Sequence, residues 1–146
     1  MMRRWSSVAA LGLLSAPAYA EAPFALGQLA LTAGAGLGRA PLPLFVGVDA
    51  AVHADATVGG AILVATQNYG LVGIARADYH WNRLLGIPRT FDFYLGAGVV
   101  VADLGLYPRI ELGGRWFFTE RTGVYLELGG GRFVDGLLGI TVKLNR

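Results

Sequence analysis

Two histidines, His53 and His80, and three aspartates, Asp55, Asp78 and Asp92, are the residues best equipped to hold a metal ion. Their spacing matches no recognised zinc-ligand motif, so the expectation is hydrogen-bonded histidines inside the fold, no metal and no cofactor. Nucleophilic acyl chemistry has little to work with. Every serine (Ser6, Ser7, Ser15) lies in the first twenty residues, and the chain has no cysteine. A threonine nucleophile would need a base beside it, and the sequence places none there. The glycine-rich stretch Gly34 to Gly38 is no phosphate loop, because it lies inside a strand pattern with no helix after it.

The remaining chemistry-bearing residues form a set of nine charges: Asp49, Arg76, Asp78, Asp92, Arg109, Glu111, Arg115, Glu127 and Lys143. What unites them is parity within alternating segments. Leu44, Val46, Val48, Ala50, Val52 and Ala54 alternate with Phe45, Gly47, Asp49, Ala51 and His53. Gly73, Ala75, Ala77, Tyr79 and Trp81 oppose Arg76, Asp78 and His80. Phe91, Phe93, Leu95, Ala97, Val99 and Val101 oppose Asp92, Tyr94, Gly96 and Gly98. Ile110, Leu112, Gly114, Trp116 and Phe118 oppose Arg109, Glu111, Gly113 and Arg115. Val124, Leu126 and Leu128 oppose Tyr125, Glu127 and Gly129; Leu138, Ile140, Val142 and Leu144 oppose Gly139, Thr141 and Lys143. Two plainer segments, 26–37 and 57–67, complete the series. Successive strand side chains point to opposite faces, so this period of two predicts half-apolar strands. The predicted strands are 26–37, 44–54, 57–67, 71–81, 91–102, 108–119, 123–131 and 137–145, separated by Gly, Pro, Asn and Asp turns. The expected fold is all-β: a closed eight-stranded antiparallel up-and-down transmembrane β-barrel.

Face polarity selects a membrane barrel over a soluble, lipocalin-like one. The apolar face carries no charge, while the other mixes a few charges with many small residues. The bore of an eight-stranded barrel is just wide enough for side chains. Glycine, alanine and a few polar groups fit it; the tryptophans, phenylalanines and many aliphatic chains of the apolar face would overfill it. The apolar face is therefore expected outside, against lipid, where a closed barrel leaves no backbone group unpaired. Inside, opposite charges should pair, because a lone buried charge is costly. Counting back from the 119–122 turn makes Arg115 the expected hub, with Glu127 and Asp78 as its partners.

Residues 1–20 read as a cleavable signal peptide. Arg3 and Arg4 precede the apolar run Val8 to Leu14, and Ala18-Tyr19-Ala20 forms a cleavage site after Ala20. Residues 21–146 then form one barrel domain. Strand one is expected to run outward from the periplasm. Tyr79, Trp81, Phe91, Phe93, Trp116 and Phe118 then fall at periplasmic strand ends as an aromatic girdle. Tyr69, Tyr107 and Phe133 fall near the opposite rim.

With these features the chain resembles the small outer-membrane barrels of the OmpA/OmpX type. More narrowly, it resembles a family of short envelope barrels through Tyr79-His80-Trp81, Phe93-Tyr94-Leu95-Gly96-Ala97-Gly98 and Leu126-Glu127-Leu128-Gly129-Gly130-Gly131. The last strand, Gly139 to Leu144, resembles the signal read by the barrel-assembly machinery, but it ends Leu144-Asn145-Arg146 where that signal ends on an aromatic. The resemblance implies a bacterial outer-membrane location, with membrane lipid and the assembly machinery as partners. A formal net charge of +2 gives no case for nucleic acid. A monomer is expected. The functional expectation is a non-enzymatic structural or interaction barrel with a polar, largely plugged lumen. The alternative is a narrow channel for ions or small solutes.

Overall fold

The computed structural model describes residues 21–38, 42–64, 70–130 and 133–145. The expected signal peptide and Tyr69 lie outside the described residues. The strands are β1 (Leu29–Leu37), β2 (Leu44–His53), β3 (Ala56–Val64), β4 (Leu71–His80), β5 (Phe91–Ala102), β6 (Gly105–Phe117), β7 (Thr122–Gly130) and β8 (Gly136–Lys143). One short helix, α1 (Asn82–Leu85), links β4 to β5. Each strand pairs antiparallel with its sequence neighbours, and β8 pairs back onto β1, closing the barrel.

The alternation becomes two surfaces. Leu31, Val48, Ile62, Leu95, Leu112, Leu126 and Ile140 are among a continuous outward layer of exposed apolar side chains, while the opposite parity is buried. Cross-strand register explains how long side chains fit inside. Asp49 sits opposite Gly59, Tyr94 opposite Gly113, Tyr125 opposite Gly139, and Arg76 and Arg109 both flank Gly98. Each of these inward side chains thus faces a glycine on a neighbouring strand, the large–small interleaving that a tapering small bore requires. Tyr94 shows why. A Cβ on Gly113 would overlap the Tyr94 ring, so only glycine lets that ring lie across β6.

Two local departures from the sequence reading have physical causes. β6 begins at Gly105, so Pro108 lies inside a strand that was expected to start with it. Pro108 pairs with Val99 of β5, and β7 pairs with β6 only from Ile110, so the missing N–H falls on a stretch where no β7 ladder is described. The β5–β6 turn is correspondingly short. Asp103 and Leu104 both hold positive φ, 48° and 62°, as a two-residue primed turn demands. At β2 the register shifts between Ala51 and His53. This irregularity turns His53 out to solvent, with a side chain 69% exposed, and overturns the expectation that it shares the inner face with His80.

Candidate functional site: the charged interior

The bore is layered along its axis. At the end where β1 begins and β8 ends, residues 21–28 fold across the mouth and insert Phe24 into it. Phe24 packs edge-on against Phe117, with ring centroids 6.1 Å apart, and against His80 at 5.5 Å. Lys143 Nζ donates to the Pro23 carbonyl at 2.7 Å and lies 4.0 Å from the centre of the Phe117 ring. Glu21 pairs with Arg89 at the rim. The opposite end is closed by apolar side chains: Phe45, Leu63, Val72, Val100, Phe133, Val134 and Leu137 form one buried cluster. The expected polar, largely plugged lumen is thus polar over part of its length. Its middle is polar and both ends are sealed by apolar groups. Tyr107 and Phe133, expected near the far rim, stack edge-on at 5.3 Å against this cluster, where they help close the bore.

Between the caps lies the ion-pair network. Arg76 is its hub. Its Nη2 donates to both oxygens of Asp49 at 2.9 Å, its Nη1 donates to Glu127 Oε2 at 2.6 Å and to the Tyr125 hydroxyl at 2.7 Å, and its Nε lies 3.6 Å from Asp78. Arg115 bridges Asp49 at 2.6 Å and Asp92 at 2.7 Å. Its guanidinium also lies 4.8 Å from the centre of the Tyr94 ring, within cation–π range. Arg109 joins Glu111 at 2.6 Å and Glu127 at 2.9 Å, and it donates to the Val134 carbonyl. Eight of the nine charges expected to share the lumen thus meet in one connected network. The ninth, Lys143, faces inward but serves the end cap.

The expected wiring is corrected. Glu127 and Asp78 are partners of Arg76, not of Arg115. Arg115 stands opposite Tyr125 in the β6–β7 ladder, and Glu127 stands opposite Gly113. The β5–β6 register places Arg115 beside Asp92. Sequence reasoning also missed the tyrosines as members. Tyr94 and Tyr125 both donate to Glu127 Oε2, the former at 2.8 Å. The available signal was their inward parity beside glycines.

A further grouping was not expected at all. His80 Nδ1 is 2.6 Å from Asp92 Oδ1, and His80 Nε2 is 3.0 Å from Thr57 Oγ1. A threonine therefore does have a histidine beside it, and a carboxylate behind that. Thr57 lies opposite Asp78 across the β3–β4 ladder, which is why chain order did not reveal the contact. The hydroxyl is buried under the Phe24 cap, so the order nucleophile, base, orienter is present without an approach for a substrate.

Outside, Tyr79, Trp81, Phe91, Phe93, Trp116 and Phe118 are all exposed and all lie towards the end that Phe24 caps. Phe91 and Trp116 are register partners and stack at 6.4 Å. Among the described residues no group of three or more His, Asp or Glu side chains could hold a metal ion.

In fold, the chain is similar to transmembrane β-barrels made by de novo design. One solved design superposes with a TM-score of 0.70 at 13% sequence identity, covering 83% of this chain and 98% of the design. The solution NMR structure of another gives 0.66 at 14% identity, covering 82% and 96%. No protein-family model matches the chain, and no curated protein matches it in sequence. The class defined by fold and interior is a closed eight-stranded antiparallel barrel with an apolar outside and an ion-paired inside.

Proposed function

We propose that the protein is a non-enzymatic structural or interaction barrel of the bacterial outer membrane, inserted as a monomer, with a lumen closed to solute. The observation that carries this reading is the inversion of the two surfaces. Arg76, Arg109 and Arg115 are buried and ion-paired, while leucine, valine, isoleucine and phenylalanine cover the exterior. In water such an exterior would drive aggregation; in lipid it is the solvated face. The six exposed aromatics at one end fit an interfacial girdle. That end would face the periplasm, with residues 1–20 as the export signal and the barrel-assembly machinery as the insertion partner. The OmpA/OmpX type is the natural group for such a chain on its eight-stranded barrel pattern.

The apolar clusters at both ends favour a plug over the channel alternative. The test combines three measurements on protein refolded into liposomes. Cysteines placed at Val48, Leu95 and Leu126 should be shielded from water-soluble thiol reagents. The unheated protein should migrate differently from the boiled one. Planar bilayers should show no discrete conductance. Free labelling at all three positions ends the membrane reading, and steady single-channel steps replace the plug with the channel.

A further inference from the structure

One gap in the interior has two acids as its nearest neighbours. Asp78 of β4 pairs with Gly96 of β5, and Gly96 pairs with Glu111 of β6, so two carboxyl groups face each other across a residue with no side chain. Asp78 Oδ1 and Glu111 Oε1 both close on the point where a Cβ on Gly96 would stand. Both oxygens are buried, and neither has a hydrogen-bond partner. The two residues are 3% and 1% exposed. Their other oxygens are engaged: Glu111 Oε2 with Arg109 at 2.6 Å, and Asp78 Oδ2 more loosely with the Thr57 hydroxyl at 3.4 Å and Arg76 Nε at 3.6 Å.

The surrounding charge does not balance two ionised acids here. The network holds five carboxylates (Asp49, Asp78, Asp92, Glu111 and Glu127) against three guanidiniums. Arg115 and Arg76 make their short contacts elsewhere, Arg115 to Asp49 and Asp92 and Arg76 to Asp49 and Glu127, while Arg109 holds Glu111 through Oε2 and is shared with Glu127. Facing Asp78 are Arg76 on its own strand, Asp49 on β2, and Arg115 and Glu111 on β6; facing Glu111 are Arg76, Arg109 and Glu127 of β7. His80 is committed to Asp92 and Thr57, and Lys143 to the end cap. Two buried carboxylates sharing one space cannot both ionise cheaply. A metal ion would need more oxygen ligands than this pair supplies. A proton needs only two, because a protonated carboxyl is a donor and its neighbour an acceptor.

We propose that Asp78 and Glu111 form a proton-binding site, sharing one proton across Gly96 at neutral pH. The proton's O–H bond to one carboxyl oxygen donates to the oxygen opposite, which satisfies both orphaned atoms and removes one of the surplus negative charges. The site depends on the interior alone, so it stands or falls separately from the membrane location.

Infrared spectroscopy of the folded wild-type barrel in H2O and D2O tests this without needing any variant to fold. The expected result is a carbonyl band of a protonated carboxylic acid that shifts on deuteration and disappears in both Asp78→Asn and Glu111→Gln. Asp78→Asn should also keep the wild-type urea midpoint, since its amide N–H can replace the shared proton towards Glu111. A wild type without the band, or a band that survives in both variants, overturns the proposal. So does a wild-type midpoint that rises when sodium replaces choline as the salt, which would assign the gap to a metal cation.

Discussion

Arg76 reaches across the bore from β4 to Glu127 on β7, with Nη1 2.6 Å from Oε2, while the same guanidinium grips Asp49 on β2. One side chain thereby ties together strands that never pair in the ladder. Hydrogen bonds between neighbouring strands fix the wall of the barrel; this crossing fixes its interior. A planar guanidinium suits the task because its five donors are held in a rigid fork.

Arg76→Met should therefore be the most damaging of the single charge removals. It strands Asp49, Glu127 and the Tyr125 hydroxyl without their shared donor. Breaking one partner of a fully buried pair commonly destabilises by about 3–5 kcal/mol. Urea unfolding in detergent would read this loss. A double-mutant cycle with Glu127→Gln should show strong coupling, since the two single losses remove the same contact. A change below about 1 kcal/mol, the range of solvent-exposed pairs, would show that water fills the bore.

How much of this was legible beforehand depends on what parity encodes. Alternation reports which face a residue takes, so Asp49, Arg76, Glu111 and Glu127 could be placed inside from sequence. It says nothing about who meets whom across the bore, because that follows from strand register and stagger. Arg115 looked like the hub when the β6–β7 turn was counted back, yet the ladder sets it against Tyr125. The bulge at Ala51 and His53 breaks the parity rule itself, which is how His53 escapes to solvent. Residues in runs of one polarity were equally opaque. Leu63, Val72, Val100 and Leu137 carry the inward parity of their strands, but as apolar residues among apolar neighbours they show no contrast with the outer face, and the apolar closure of the far end went unseen. Phe24 lies before any strand, and its role as a cap exists only once the mouth has formed.

The lipid-facing assignment predicts a depth-dependent penalty. Leu95 and Leu112 are register partners on β5 and β6, and both point outward. An arginine at either, near the middle of its strand, should destabilise the inserted barrel by about 2–4 kcal/mol, as charges at the bilayer midplane do. Arginine at Leu144, just beyond β8 and close to the interface, should have little effect. Equal penalties at Leu95 and Leu144 in a liposome-folding titration would contradict the assignment.

Phe24 caps one end only, so its removal should loosen the cap without opening a path. Truncating a buried phenylalanine to alanine typically forfeits about 3–5 kcal/mol. Here the segment can detach instead of leaving a cavity, so local opening limits the loss. Phe24→Ala should make residues 21–28 sensitive to protease and expose Lys143 to amine-reactive reagents. The far cluster of Phe45, Leu63, Val100 and Leu137 remains, so bilayer conductance should stay absent. Conductance appearing in Phe24→Ala would mean that the far cluster does not seal.

The pairing of Tyr94 with Gly113 gives the sharpest contrast between inward and outward glycines. Tyr94 is buried, its ring lies on Gly113, and its hydroxyl donates to Glu127 Oε2 at 2.8 Å. Gly113→Val must push that ring aside. Overpacking a filled interior typically costs about 1–3 kcal/mol. Losing a hydrogen bond to a charged group adds about 1.5–3 kcal/mol. Outward Gly73 presents the opposite case, because the nearest atom to an added Cβ is 3.8 Å away. Gly73→Ala should leave the fold intact and raise stability slightly, as alanine restricts the unfolded chain more than glycine does. Combining Gly113→Val with Tyr94→Ala should recover the steric part of the loss and not the hydrogen-bonded part. Urea midpoints of the three variants and the pair decide the matter. If Gly113→Val and Gly73→Ala behave alike, the ring does not lie across β6, and the large–small interleaving that seats the whole network is wrong.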